Sequence, residues 1–194
     1  MTALAHSERM TVEEFLAWTG MGDAVYELID GHPCAQAAPS EEHAALQAAV
    51  AGELRNALAG RRPCRVMTEA GVYAAIRPRW NYRQADVVVS CRPRLPGQPS
   101  EPELIVEILS PSNEQETRDK LFYYAAIESV REILFLDSHR VAAELYRRDA
   151  AGHWAPEPLL RGPGDRLELF SVDAALDLDV LYDGVLGDES GIWL

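Results

Sequence analysis

One run of six residues, Leu104-Ile105-Val106-Glu107-Ile108-Leu109, narrows the fold more than any other stretch. Five of its side chains are apolar, three are β-branched, and Pro102 and Pro111 bound it. A run so short and so uniformly apolar reads as a strand covered on both faces, the kind found inside α/β sheets. Glu107 interrupts it. A carboxylate buried there goes to its neutral form unless a cation or several hydrogen-bond donors hold it. The sequence must therefore supply Glu107 with a partner.

The basic residues are seventeen arginines and one lysine, Lys120. In an arginine-rich background a lone lysine marks a place for a compact ammonium rather than a planar guanidinium; chance survival of one lysine is the plain alternative. Its position is informative. Ser112 and Gln115 have the spacing of a capping box ahead of a helix over 113–128. Lys120, Tyr123, Tyr124 and Ile127 then share one stripe. Helical side chains lean toward the N-terminus, so the Lys120 ammonium points back toward the end of the Glu107 strand.

Two further acids lie in apolar strand contexts. Asp86 opens the run Asp86-Val87-Val88-Val89, which is joined to the Glu107 strand by a Pro- and Gly-containing loop. As neighbours, the two strands bring Asp86 and Glu107 together. Upstream, Val25, Glu27 and Ile29 alternate onto one face, and Asp30-Gly31 signals a hairpin turn. Glu27 there is either a third inward acid or the exposed residue of an edge strand. Carboxylates with a lysine at strand ends suit Mg²⁺ or Mn²⁺, although a structural ion-pair cluster looks the same in sequence.

Seven stretches then fall in a familiar order: TVEEFLAW, YELIDG, PSEEH, ADVVVS, LIVEILSPS, RDKLFYYAAIESVREILFLD and DAALDLDVLY. Over roughly 11–183 the chain resembles the Uma-type restriction-endonuclease-like family of the PD-(D/E)XK nuclease superfamily. The resemblance implies an α/β fold with a mixed central β-sheet flanked by helices. It implies Asp86 and Glu107 as acidic metal ligands, Glu27 as a further acid completing the site, and Lys120 as a catalytic lysine moved from strand to helix. Two departures stand out: Ala85 replaces the usual Pro before the aspartate, and Leu109 stands where an ExK strand carries its lysine. Tyr124 and His43 occupy positions where such proteins commonly carry those types. Tyr124 also reads as a core residue, and His43, three after Ser40, as part of a local helix cap.

The rest of the chain bounds these readings. Its 194 residues suit one domain, 1–194, with a sizeable core. No apolar stretch reaches the roughly 20 residues of a membrane span, and MTALAHSERM lacks the features of a secretory signal. Cys34, Cys64 and Cys91 are odd in number and lack CxxC spacing, so neither a disulfide nor a zinc site is expected, and a reducing cytoplasm fits. The net charge of −13 argues against a protein that coats nucleic acid. Residues 163–194 are strongly acidic, whereas residues 61–94 hold eight arginines against Glu69 and Asp86. Within that basic segment Arg77, Arg79 and Arg83 are candidates for DNA phosphates, with Trp80 and Tyr82 beside them; an ordinary hairpin covering the core edge is the alternative.

Coarsely, the expected elements are a helix at 11–19, strands near 24–37, and a helix at 41–60. Strands follow near 64–76, 85–91 and 103–109, then the helix 113–128, strands 131–137 and 140–148, and a short helix near 172–178. The extra hairpins and the family resemblance point to a homodimer. The leading functional expectation is Mg²⁺- or Mn²⁺-dependent hydrolysis of DNA phosphodiesters. Two alternatives stand beside it: a catalytically silent nuclease-fold module that binds nucleic acid or a protein, and a hydrolase of another phosphate ester.

Overall fold

The computed structural model describes residues 9–20, 24–95 and 99–186. Residues 1–8 of the N-terminal segment, 96–98 of the Pro/Gly loop, and Asp188 and Glu189 of the acidic tail lie outside the described residues.

Eight strands form the central sheet: β1 (Tyr26–Ile29), β2 (His32–Ala35), β3 (Arg65–Tyr73), β4 (Tyr82–Ser90), β5 (Leu104–Leu109), β6 (Glu132–Asp137), β7 (Ala143–Arg147) and β8 (Leu159–Arg161). Their order is β2-β1-β4-β5-β6-β7-β8, with β3 also paired to β4. β5 and β6 are parallel and the other pairs antiparallel. The parallel pair demands a crossover, and α3 (Glu114–Ala125) supplies it. The expected mixed sheet flanked by helices is the observed architecture.

Alternation along β5 explains its two-sided burial. Leu104, Val106 and Ile108 enter one core with Val87, Val89, Leu134 and Leu136. That face is covered by α2 (Glu41–Ala57), whose Leu46, Val50 and Leu54 recur every four residues. A hairpin of β9 (Arg166–Leu169) and β10 (Ala174–Asp177), then α4 (Leu178–Tyr182), closes the same core. Ile105 and Leu109 face the other way, packing with Val88, Ile133, Phe135 and Tyr124 of α3. Glu107 falls on this α3 face by alternation. A third cluster joins Val12 and Phe15 of α1 (Val12–Ala17) to Leu28.

Several expectations change. The segment expected as a helix near 172–178 is mostly strand β10, and α4 starts where the Asp177 carboxylate accepts the N–H groups of Asp179 and Val180. Ser112 does not cap α3. Asn113 is the N-cap instead, and its side-chain oxygen accepts the N–H of Ser110, so the turn after β5 ends one residue later. β4 begins at Tyr82, three residues earlier than expected, which draws Arg83 into the sheet. The expected absence of a disulfide also fails: Cys64 and Cys91 are bonded, S–S 2.04 Å. The register explains it, because β3 and β4 pair Arg65 with Ser90, and the cysteines are the next opposed residues.

Candidate active site

β4 is lined by β3 along one edge, from Tyr82 to Ser90. Along its other edge it meets β1 only at Tyr82 and β5 only from Val87 to Val89. Arg83 to Asp86 thus have no strand partner on that side, and side chains take over the ladder's work. The Glu27 carboxylate accepts the Gln84 N–H at 3.0 Å. The Lys120 ammonium donates to the Gln84 carbonyl at 2.9 Å. Asp86 Oδ2 accepts the Ile108 N–H at 2.6 Å. Continuing the β4–β5 register by one step sets Asp86 opposite Glu107 where the two strands part. The two acids therefore sit on facing strands at the mouth of the gap.

Glu27 is fully buried rather than exposed on an edge strand. Its Oε1 lies 2.8 Å from Lys120 Nζ and its Oε2 3.1 Å from Arg83 Nη1. Arg83, expected to reach DNA, is itself only 4% exposed and stacks over the Tyr123 ring at 4.2 Å. An ammonium has three protons. Those of Lys120 face three acceptors: Glu27, the Gln84 carbonyl, and Glu107 Oε2 at 3.5 Å. Burial works against the charged form of Lys120, but Glu107 and Glu27 outweigh it and raise its pKa. It remains an ammonium.

Glu107 takes the opposite course. Burial pushes its carboxyl well above the usual range; Lys120 opposes that push, Asp86 adds to it, and the Tyr124 hydroxyl opposes it again. Tyr124 is fully buried and donates to Glu107 Oε1 at 2.6 Å, so it is both core and site. Three acidic side chains, Glu27, Asp86 and Glu107, thus gather near two cations, Arg83 and Lys120.

His43 does more than cap. Its backbone N–H bonds the Ser40 hydroxyl as expected, while its ring lies between Asp86 Oδ1 (Nε2, 3.3 Å) and the Ser110 hydroxyl (Nδ1, 3.3 Å). Ser110 continues to Ser138 at 3.4 Å. Beside this chain lies Glu69, which no sequence pattern singled out. It stands opposite Asp86 in the β3–β4 register, between the pairs Thr68↔Val87 and Ala70↔Ala85, with a left-handed φ of 50°. Its two oxygens accept the side-chain amides of Gln47 (2.5 Å) and Gln84 (2.7 Å). Gln47 also donates to the Asp86 carbonyl at 2.9 Å.

Part of this network lines a cavity of about 480 Å³ between the β1–β2 hairpin, the start of α2 and the start of α3. Glu27, His43, Glu69, Asp86, Glu107 and Lys120 all border it. Among the described residues, no three His, Cys, Asp or Glu side chains converge into a ready metal cage. Arg77 and Arg79 are exposed, the first paired with Asp30 at 2.9 Å and the second 5.0 Å from the Trp80 ring. Among the described residues no helix is long and apolar enough to cross a membrane.

A family model described as "Uma2: Putative restriction endonuclease" matches residues 12–180. The chain belongs to the Uma2 family. A curated relative, the uncharacterized protein slr1290 of Synechocystis sp. (strain ATCC 27184 / PCC 6803 / Kazusa), is 30% identical over 191 residues, covering 94% of this chain and 98% of its own. Among solved structures, a "putative nuclease belonging to DUF820" from Anabaena variabilis ATCC 29413 superposes with a TM-score of 0.71 at 18% identity, covering 91% of this chain and 99% of that one. The Uma2 match spans the Asp86, Glu107 and Lys120 positions, and the fold is that of the nuclease-like neighbour.

Proposed function

We propose that this Uma2 chain is a metal-dependent nuclease that hydrolyses DNA phosphodiester bonds in the cavity between β4, β5 and α3. The observation that carries the reading is the opposition of Asp86 and Glu107 across a gap in the sheet, on the wall of an open cavity. Two carboxylates suit Mg²⁺ or Mn²⁺, ions that keep several waters and complete their shell with substrate phosphate. Asp86 and Glu107 fit such an ion, since each carboxylate oxygen has a second lone pair beyond the bond it already makes. Glu27 fits less well, because its Oε1 already takes both Lys120 and the Gln84 N–H and its Oε2 is held by the buried Arg83 guanidinium. When bound, the ion would supply Lewis-acid stabilisation of charge developing on the phosphate.

The chain's own residues have distinct tasks in this reading. Lys120 holds Glu107 and the Gln84 carbonyl in place rather than touching substrate. Tyr124 fixes the rotamer of Glu107, and His43 that of Asp86. Exposed Arg77 and Arg79 are the candidates for DNA phosphates, and Arg83 is the counter-ion of Glu27. The test is incubation of supercoiled and single-stranded DNA with Mg²⁺ or Mn²⁺, beside an Asp86→Asn variant. Cleavage by the wild type alone is the expected result; equal behaviour of the two proteins refutes it.

A second reading, a silent module of the same fold, draws on the fully satisfied Glu27–Lys120–Arg83 cluster. Calorimetric titration of Mg²⁺ and Mn²⁺ into chelator-treated protein separates the two. The silent module takes up neither ion.

A further inference from the structure

Hydrolysis by water needs an acceptor for the water's proton, and Lys120, the catalytic lysine that the family resemblance implies, is not free to act as one. The Lys120 side-chain nitrogen is already directed at Glu27, the Gln84 carbonyl and Glu107. Glu107 and Asp86 are committed to the ion in the reading above, and Glu27 is sealed away from solvent. Two exposed carboxylates on the same cavity remain, Glu69 and Glu116. We propose that Glu69 is the general base of this site, a role that rests on the hydrolytic reading above.

Three observations carry the assignment. Glu69 is solvent-exposed and borders the cavity that Asp86 and Glu107 border. The Gln47 amide bridges Glu69 to the Asp86 backbone, donating to Glu69 Oε1 at 2.5 Å and to the Asp86 carbonyl at 2.9 Å, which places Glu69 next to Asp86 on the cavity wall. Its backbone has a φ of 50°, a conformation that disfavours a non-glycine residue and that a glycine would adopt without strain. A long acidic side chain in that position is held at a cost, and the Gln47 and Gln84 amides hold it in one orientation while leaving a lone pair on each oxygen. Among the described residues nothing comparable fixes the other exposed acid on the cavity, Glu116, whose carboxylate accepts a 3.5 Å contact from Gln36.

In the step assigned to it, Glu69 takes one proton from a water molecule as that water's oxygen forms a bond to phosphorus. The P–O bond to the leaving strand breaks, and the leaving oxygen takes a proton from solvent. The carboxyl of Glu69 then returns its proton to solvent.

The experiment compares wild type, Glu69→Gly, Glu69→Gln and Asp86→Asn, each with Mn²⁺ and supercoiled DNA, and follows thermal melts in parallel. A positioned general base contributes about 100-fold or more, so both Glu69 variants should lose at least that factor in kcat with KM unchanged. Added formate should restore part of the rate to Glu69→Gly and none to Asp86→Asn. Glu69→Gly should melt at or above the wild type and keep the wild-type rise in Tm with Mn²⁺. Unchanged kcat in Glu69→Gly overturns the assignment. So does loss of its Mn²⁺ response, which would make Glu69 a ligand, or a lowered Tm without formate rescue, which would make it a strut. If the wild type cleaves no DNA, the hydrolytic reading falls and the base with it; if only the Glu69 arms fail, the nuclease reading stands.

Discussion

Glu27→Ala is the sharpest test of how this site is held together. The carboxylate it removes is fully buried and touches Lys120 at 2.8 Å, the Gln84 N–H at 3.0 Å and Arg83 at 3.1 Å. Its loss leaves a buried guanidinium without a counter-ion, leaves Lys120 with Glu107 as its remaining anion, and orphans a backbone N–H. Breaking a buried ion pair by removing one partner costs about 3–5 kcal/mol. In a domain of this size that corresponds to a fall in Tm of about 6–20 °C. The assay is urea and thermal denaturation of the metal-free protein, with Glu27→Gln as the volume-matched control. Glu27→Gln keeps an acceptor for one cation and should lose less. Adding Arg83→Met to Glu27→Ala removes the stranded guanidinium and should recover part of the loss, a coupling of about 0.5–3 kcal/mol. If Glu27 were instead a metal ligand, Glu27→Ala would abolish Mn²⁺ binding and leave the metal-free melt almost unchanged. That outcome would refute the counter-ion argument.

Other expectations follow from the same geometry. Mn²⁺ should raise the Tm of the wild type by binding only the folded state, and Asp86→Asn should lose that rise in a melt with and without the ion. Glu107 has a folded pKa raised above its unfolded value, so its contribution to stability is fully present below about pH 4.3 and is lost as pH climbs through the raised folded pKa. Urea titrations of the metal-free wild type should therefore show a downward slope over that window, which Glu107→Gln lacks. Lys120→Ala strips Glu107 and Glu27 of their shared cation and should destabilise by several kcal/mol in the metal-free protein, with Mn²⁺ affinity by calorimetry little changed.

Much of this was legible in the chain, for an identifiable reason. An acid in an apolar strand or a lone lysine on an apolar helix stripe contradicts its surroundings, and that contradiction is visible one residue at a time. Glu107 and Lys120 announced themselves this way, and they do meet. Glu27 was visible too, but its burial depends on which strand lies beside β1, which alternation cannot supply. Arg83 was misread because a strand boundary moved by three residues, turning an assumed surface arginine into the counter-ion of Glu27. Glu69 and the Cys64–Cys91 bond left no local trace. Both depend on the pairing register of β3 and β4, in which residues far apart in sequence become opposite neighbours.

That covalent link also acts as a register lock. Sliding β3 along β4 by two residues would preserve the inside-outside alternation of both strands, so the alternation by itself does not exclude it. Yet it would set Met67 or Gly71, rather than Glu69, across from Asp86. The bond between residues 64 and 91, one step beyond the last ladder pair, is compatible with only one of these alignments. The chain thus ties the alignment of its acidic groups to a covalent clasp five residues from Asp86, where the sheet's own pattern leaves the choice open.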